Sequence, residues 1–122
     1  MKKVMVIDDE PFILMMIEEK LKRAGMSVIT LRESKDALPV IKKELPDLLI
    51  LDWMMPEMSG IDLCKMVKKD ADTRHIPVFL LTAKGQDADK QIGLECGAVM
   101  YITKPFSPKA LLDIVNKTLN GD

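Results

Sequence analysis

Five short apolar runs recur along the chain: Val4–Ile7, Val28–Leu31, Leu48–Leu51, Val78–Leu81 and Val99–Ile102. Each is rich in branched side chains, bounded by polar or turn residues, and nearly uniform. A strand wetted on one face would alternate; uniform runs of this length belong to strands covered on both faces, and so to a parallel sheet. Parallel neighbours cannot be joined by tight turns and need right-handed helical crossovers.

The intervening segments have the required period. After Pro11, a favourable first-turn residue, Ile13, Leu14, Ile17, Leu21 and Ala24 line one helical face, and Glu18, Glu19, Lys22 and Arg23 occupy the other. Gly25 supplies a left-handed stop. The last helix begins with Ser107 as N-cap and Pro108 at its first position. It carries Leu111, Leu112, Val115 and Leu119 as its stripe, with Gly121 beyond its end. Ser34–Glu44, Ile61–Lys69 and Gln86–Cys96 complete the set, the last with Gly93 inside it. Five successive βα units predict one doubly wound α/β domain over residues 1–122, a flavodoxin-like five-stranded parallel sheet of order 2-1-3-4-5.

Composition narrows the function. The chain is 48% hydrophobic and 30% charged with a net charge of -1, so no basic stripe favours direct binding to nucleic acid. Cys64 and Cys96 have no CxxC or Cys/His spacing and read as reduced, packed small hydrophobes; His75 is the single histidine and reads as exposed and inert. The apolar run before Asp8 is too short for a signal-peptide core or a membrane span, which predicts a cytoplasmic protein. Among the ten methionines, Met15, Met16, Met26 and Met66 read as core filler, while Met54, Met55 and Met58 cluster after Asp52.

The strand ends carry the chemistry. Ligands of such sheets bind beyond the carboxyl ends of the strands, where strand order reverses. Strand 1 ends in Asp8-Asp9-Glu10, strand 3 in Asp52, strand 4 in Thr82, and strand 5 leads to Lys104-Pro105. Clustered carboxylates repel unless one protonates or a cation joins them, and oxygen-only donors favour a hard ion such as Mg²⁺. By itself, Asp8-Asp9 also reads as an acidic N-cap before Pro11. A first loop of Asp-Asp-Glu-Pro repels a phosphate dianion, so phosphate enters only alongside a divalent ion.

With those residues in place, the chain resembles response-regulator receiver domains. The resemblance rests on Asp8-Asp9-Glu10-Pro11 after the first strand and Leu51-Asp52-Trp53-Met54-Met55-Pro56 with Ser59-Gly60 after the third. It continues through Leu81-Thr82-Ala83 after the fourth and Tyr101-Ile102-Thr103-Lys104-Pro105-Phe106 around the fifth, and covers essentially the whole chain. It implies that Asp52 attacks the phosphorus of a phosphohistidine on a histidine kinase or histidine phosphotransfer protein, forming an aspartyl phosphate. It further implies Mg²⁺ (or Mn²⁺) held by Asp9, Asp52 and the main-chain carbonyl of Met54, with Asp8 acting through water. Lys104 would supply charge to a phosphoryl oxygen, the Thr82 hydroxyl a hydrogen bond, and small Ala83 an open main-chain amide. The Lys104–Pro105 bond is usually cis in this family.

The implied switch moves Thr82 towards the phosphoryl group and turns Tyr101 into the vacated space. This biases the face formed by the Gln86–Cys96 helix, the last strand and the last helix. Met54 and Lys84 flank the route of an attacking water. Val99 and Met100 depart from the winged-helix transcription-factor branch, where these positions are commonly acidic and help form an active dimer; their absence argues for a less charged face, with Val99 in the core. No output domain follows Leu119, so the chain reads as a stand-alone receiver or a piece of a longer regulator, monomeric or dimerising on phosphorylation, acting on a downstream protein or output domain. An aspartate-nucleophile phosphatase of the haloacid dehalogenase type would place a second Asp where Met54 stands. A phosphorylation-independent pseudo-receiver would typically lose part of the acidic cluster or Lys104.

Overall fold

The computed structural model describes residues 1–83 and 96–120. Five strands, β1 (Lys3–Ile7), β2 (Ser27–Leu31), β3 (Leu48–Asp52), β4 (Val78–Ala83) and β5 (Met100–Lys104), form one sheet of order β2-β1-β3-β4-β5. All four pairings are parallel. The described helices are α1 (Pro11–Arg23), α2 (Ala37–Glu44), α3 (Gly60–Lys69) and α4 (Pro108–Asn120). The doubly wound, flavodoxin-like architecture read from the apolar runs is therefore the observed one.

Side chains of the central strands alternate between two cores. Met5, Ile7, Leu49, Leu51 and Leu80 face α2 and α3, meeting Ile41, Leu63 and Val67. Val4, Val6, Ile50, Phe79 and Leu81 face α1 and α4, meeting Leu14, Ile17, Leu21, Leu111 and Val115. This explains the uniform apolar runs, since successive residues point to opposite faces and both faces are covered. Each fully buried Leu, Ile or Val contributes roughly 2 kcal/mol of transfer free energy.

Helix ends follow local chemistry. After α1, Gly25 at φ +91° lets its N–H reach the Lys22 carbonyl while Met26 N–H reaches Leu21, a paired C-cap motif. The Ser107 hydroxyl accepts from the Ala110 N–H at 3.2 Å, and the Ser59 hydroxyl from the Asp62 N–H at 3.1 Å.

Several expectations need correction. The helix expected from Ser34 begins at Ala37, because the buried Ser34 side chain turns away to donate its hydroxyl to the Met58 carbonyl. Ala24 is the exposed cap of α1, not part of its buried stripe. Val99 precedes β5 and is 55% exposed, so it is not core. Met15 and Met66 sit on the wet faces of α1 and α3, and only Met26 is a buried filler among the four methionines so read. Residues 84–95, which hold nearly all of the Gln86–Cys96 segment with Gly93 and Lys84, lie outside the described residues, as does Gly121. His75 is exposed, and no described helix is long and apolar enough to cross a membrane.

Candidate functional site

The register of the central strands brings the acids together. Ile7 of β1 pairs with Leu51 of β3, so the next residues, Asp8 and Asp52, emerge side by side from adjacent strands. The ladder continues through them: Asp8 N–H donates to Leu31 O at 3.1 Å, and Trp53 N–H to Leu81 O at 2.8 Å. Asp52, Thr82, Ala83 and Lys104 are thus the last residues of their strands, held by sheet hydrogen bonding.

Lys104 comes from the edge strand β5, where it pairs with Ala83, and its long side chain reaches back across β4. Its Nζ lies 2.9 Å from Asp8 Oδ2, 3.3 Å from Asp52 Oδ1 and 3.6 Å from Glu10 Oε2. Asp8 is completely buried, and its other oxygen accepts the Glu10 N–H at 2.9 Å. Glu10 is the N-cap of α1 by backbone conformation but makes no side-chain cap bond. Asp8 is therefore committed to the crevice rather than to capping the helix opened by Pro11.

One carboxylate oxygen from each of Asp8, Asp9 and Asp52 lies within 4.8 Å of the others. At such distances two carboxylates repel by about 4 kcal/mol at an effective dielectric near 20. Burial, then the charge of Asp8, pushes the Asp52 pKa up to about 7 despite the neighbouring ammonium of Lys104. Burial works against the Lys104 ammonium too, but Asp8 and Asp52 outweigh it and hold its pKa above the usual lysine value. Three carboxylates facing one ammonium leave excess negative charge in a half-enclosed space. The donor atoms are all oxygen, so this surplus fits a hard divalent cation.

The crevice, of about 200 Å³, is lined by Asp9, Glu10, Asp52, Met54, Ala83 and Lys104. Met54 is 61% exposed at its rim, whereas Met55 is buried in the α2/α3 core. Thr82 is buried, with a long 3.5 Å contact from its hydroxyl to the Ala83 carbonyl. The Lys104–Pro105 peptide is cis. Tyr101 stands outside the crevice. It pairs with Leu80, and Thr82 with Thr103, so Thr82 and Tyr101 are diagonal neighbours on one face of the sheet.

Three residues in this neighbourhood make contacts that the reading of the sequence did not give. Trp53 meets Tyr101 edge to face, with ring centroids 5.9 Å apart at 84°, which joins the residue after Asp52 to the edge strand. Ser34 ties the end of β2 to the Met58 carbonyl in the loop that follows Asp52. Gly60 packs so closely that an added Cβ would lie 2.2 Å from the Asp52 carbonyl oxygen. The Ser59-Gly60 pair was visible as a motif, but Ser34 meets a partner 24 residues away, which no local pattern signals.

Comparison with known proteins agrees with this geometry. The model of the response regulator receiver domain family matches residues 4–116. The phosphate regulon transcriptional regulatory protein PhoB of Pseudomonas aeruginosa is 45% identical, covering 99% of this chain and 55% of that protein. The alkaline phosphatase synthesis transcriptional regulatory protein PhoP of Bacillus subtilis is 43% identical, covering 88% of this chain and 44% of its own length. The chain thus spans about half the length of these curated relatives. Among solved structures, the chemotaxis response regulator CheY4 of Vibrio cholerae superposes with a TM-score of 0.91 at 33% identity, covering 98% of this chain and 99% of that one.

Proposed function

The chain belongs to the family of response regulator receiver domains, and on that premise we propose that it accepts a phosphoryl group on Asp52 from a phosphohistidine of a histidine kinase or histidine phosphotransfer protein. The observation that carries this reading is the buried Asp8–Asp52 pair bridged by Lys104 at the ends of the two central strands. A carboxylate oxygen of Asp52 attacks phosphorus, the P–N bond to the donor imidazole breaks, and the histidine leaves. The protein's work is to position groups and to stabilise charge on the transferring oxygens.

Asp9, Asp52 and the main-chain carbonyl of Met54 would hold Mg²⁺ (or Mn²⁺), with Asp8 acting through water, and the ion would supply positive charge to the phosphoryl oxygens. Lys104 already stands within reach of Asp52 and neutralises a second oxygen when its contact with the carboxylate is exchanged for the phosphoryl group. Thr82 offers a hydroxyl and Ala83 an amide, the latter at a position whose small side chain leaves the entrance open. Movement of Thr82 towards the phosphoryl group frees space for Tyr101, its diagonal neighbour. Tyr101 then trades its contact with Trp53 for a more buried position, which alters the face read by a downstream protein or output domain.

The test is direct. Incubation with a small phosphoryl donor and Mg²⁺ should add one phosphoryl group to the wild type, removable by hydroxylamine as an acyl phosphate is, and none to Asp52→Asn. Labelling that survives in Asp52→Asn, or a wild type that stays unlabelled, would sink the assignment. Trp53, the single tryptophan, should report Mg²⁺ binding and then phosphoryl-like beryllium fluoride by successive fluorescence changes.

A further inference from the structure

Cys64 and Cys96 are 32 residues apart in sequence and adjacent in space. Cys64 is fully buried on the inner face of α3, and Cys96, 4% exposed, opens the turn that leads into β5. The Cys64 thiol donates to the Cys96 carbonyl at 3.4 Å, and neither cysteine is in a disulfide. A second contact fixes the pair. Lys68, one helical turn beyond Cys64, lays its stem against Gly97, where an added Cβ would lie 2.8 Å from Lys68 Cγ. The Lys68 ammonium donates to the carbonyls of Arg74 and Ile76. The Cys96–Gly97 turn, with Gly97 at φ +102°, is thereby seated on α3 beside Cys64.

The two thiols are not equivalent. A hydrogen bond between the two side chains, separate from the one to the carbonyl, lowers the pKa of Cys96 to about 7 against its burial, helped by the Ala98 amide and the charge of Lys65. The same hydrogen bond, together with burial, holds the Cys64 proton in place. The shifts run in opposite directions, so Cys96 is the sulfur that gives up its proton more readily and Cys64 the one that keeps it. A thiolate with a protonated thiol against it has the asymmetry of a nucleophile with a resolving partner.

We propose that Cys64 and Cys96 form a redox-active dithiol that closes to an intramolecular disulfide, fastening α3 to the approach of β5. The oxidant is a peroxide. The Cys96 thiolate attacks one peroxide oxygen, the O–O bond breaks, and hydroxide leaves and is protonated to water. The Cys64 sulfur then attacks the Cys96 sulfenic acid, an S–S bond forms, and a second water departs with the Cys64 proton. Two thiols lose two electrons and two protons, and the peroxide is reduced to two waters. β5 carries both Lys104 and Tyr101, so the bond ties the approach of that edge strand to α3. The inference stands independently of phosphoryl transfer, and its test needs neither Mg²⁺ nor a phosphodonor.

The experiment treats the folded wild type with hydrogen peroxide at neutral pH. The expected result is loss of both titratable thiols, a mass decrease of two hydrogens, and a Cys64–Cys96 linkage in a non-reducing peptide map, all reversed by dithiothreitol. Cys64→Ser should stop at a sulfenic acid on Cys96 that dimedone traps, while Cys96→Ser should leave Cys64 unreactive. Amide hydrogen exchange over Ala98–Tyr101 should slow in the oxidised protein. Thiols that remain titratable after treatment, or disulfides found only between chains, would overturn the pairing. Exchange that is unchanged on oxidation would overturn the fastening. The wild-type peptide map decides the matter even if a serine variant fails to fold.

Discussion

The central strands and the edge strand β5 serve the same crevice in different ways. β1 and β3 each have a strand on both sides and a helical layer on both faces, and β3 is buried along its whole length. Their terminal acids, Asp8 and Asp52, share that burial and lie close despite their repulsion. Among the described residues, β5 pairs with β4 alone and is buried at Ile102 alone. It contributes the countercharge, Lys104, and the half-buried ring, Tyr101. Buried central strands hold like charges together, and a half-buried edge strand supplies the countercharge.

Removing the edge-strand cation should have the largest effect. Lys104→Met leaves Asp8 and Asp52 buried without a cation, and we expect a loss of about 3 kcal/mol at neutral pH, at the lower end for a broken buried pair. Urea unfolding measures it, and Mg²⁺ should recover much of the loss. A variant as stable as wild type without metal would mean that the acids do not depend on β5. Next, Gly60→Ala strikes the central strand, because its Cβ meets the Asp52 carbonyl at 2.2 Å. Forced displacement of α3 should cost about 2 kcal/mol, outweighing a gain of about 1 kcal/mol in helix propensity. Thermal unfolding at or above the wild-type midpoint would show that this packing yields.

The third prediction concerns protons. Asp52 has a folded-state pKa of about 7, above that of the unfolded chain, so the folded protein holds the extra proton between the ordinary carboxylate range and about pH 7. Stability of the metal-free protein should therefore fall as pH rises through that window and level off above it; in Asp52→Asn this fall should vanish. Mg²⁺ needs the ionised carboxylate, so its affinity should be about tenfold weaker near pH 6 than near pH 8. A Trp53 titration that gives a pH-independent affinity would contradict the crowding of Asp52 by Asp8. The smallest effect belongs to Ser34→Ala, which leaves the Met58 carbonyl without its buried donor and should cost about 1 kcal/mol. Mg²⁺ affinity should fall in that variant and recover in Ser34→Thr; a stability loss with unchanged Mg²⁺ affinity would make the tether merely structural.

The relatives bear on the margin as well. Val99 is exposed and Met100 begins β5, and the relatives PhoB and PhoP are named as transcriptional regulators.

The apolar runs determined the sheet, and their punctuation determined that Asp8, Asp52, Thr82 and Lys104 fall at strand ends. Both are local properties: the covering of a strand is written in four or five consecutive residues, and its end in the first polar one. Local pattern could not say that Val99 is wet, because an apolar residue at an element's margin reads the same on either side of the surface. Nor could it say that Ser34 would leave a helical register for a carbonyl 24 residues on. The contact of Tyr101 with Trp53, the reach of Lys104 across β4 to Asp8, and the meeting of Cys64 with Cys96 were decided by strand order and register. Those depend on which distant runs become neighbours, and only the assembled sheet makes that choice.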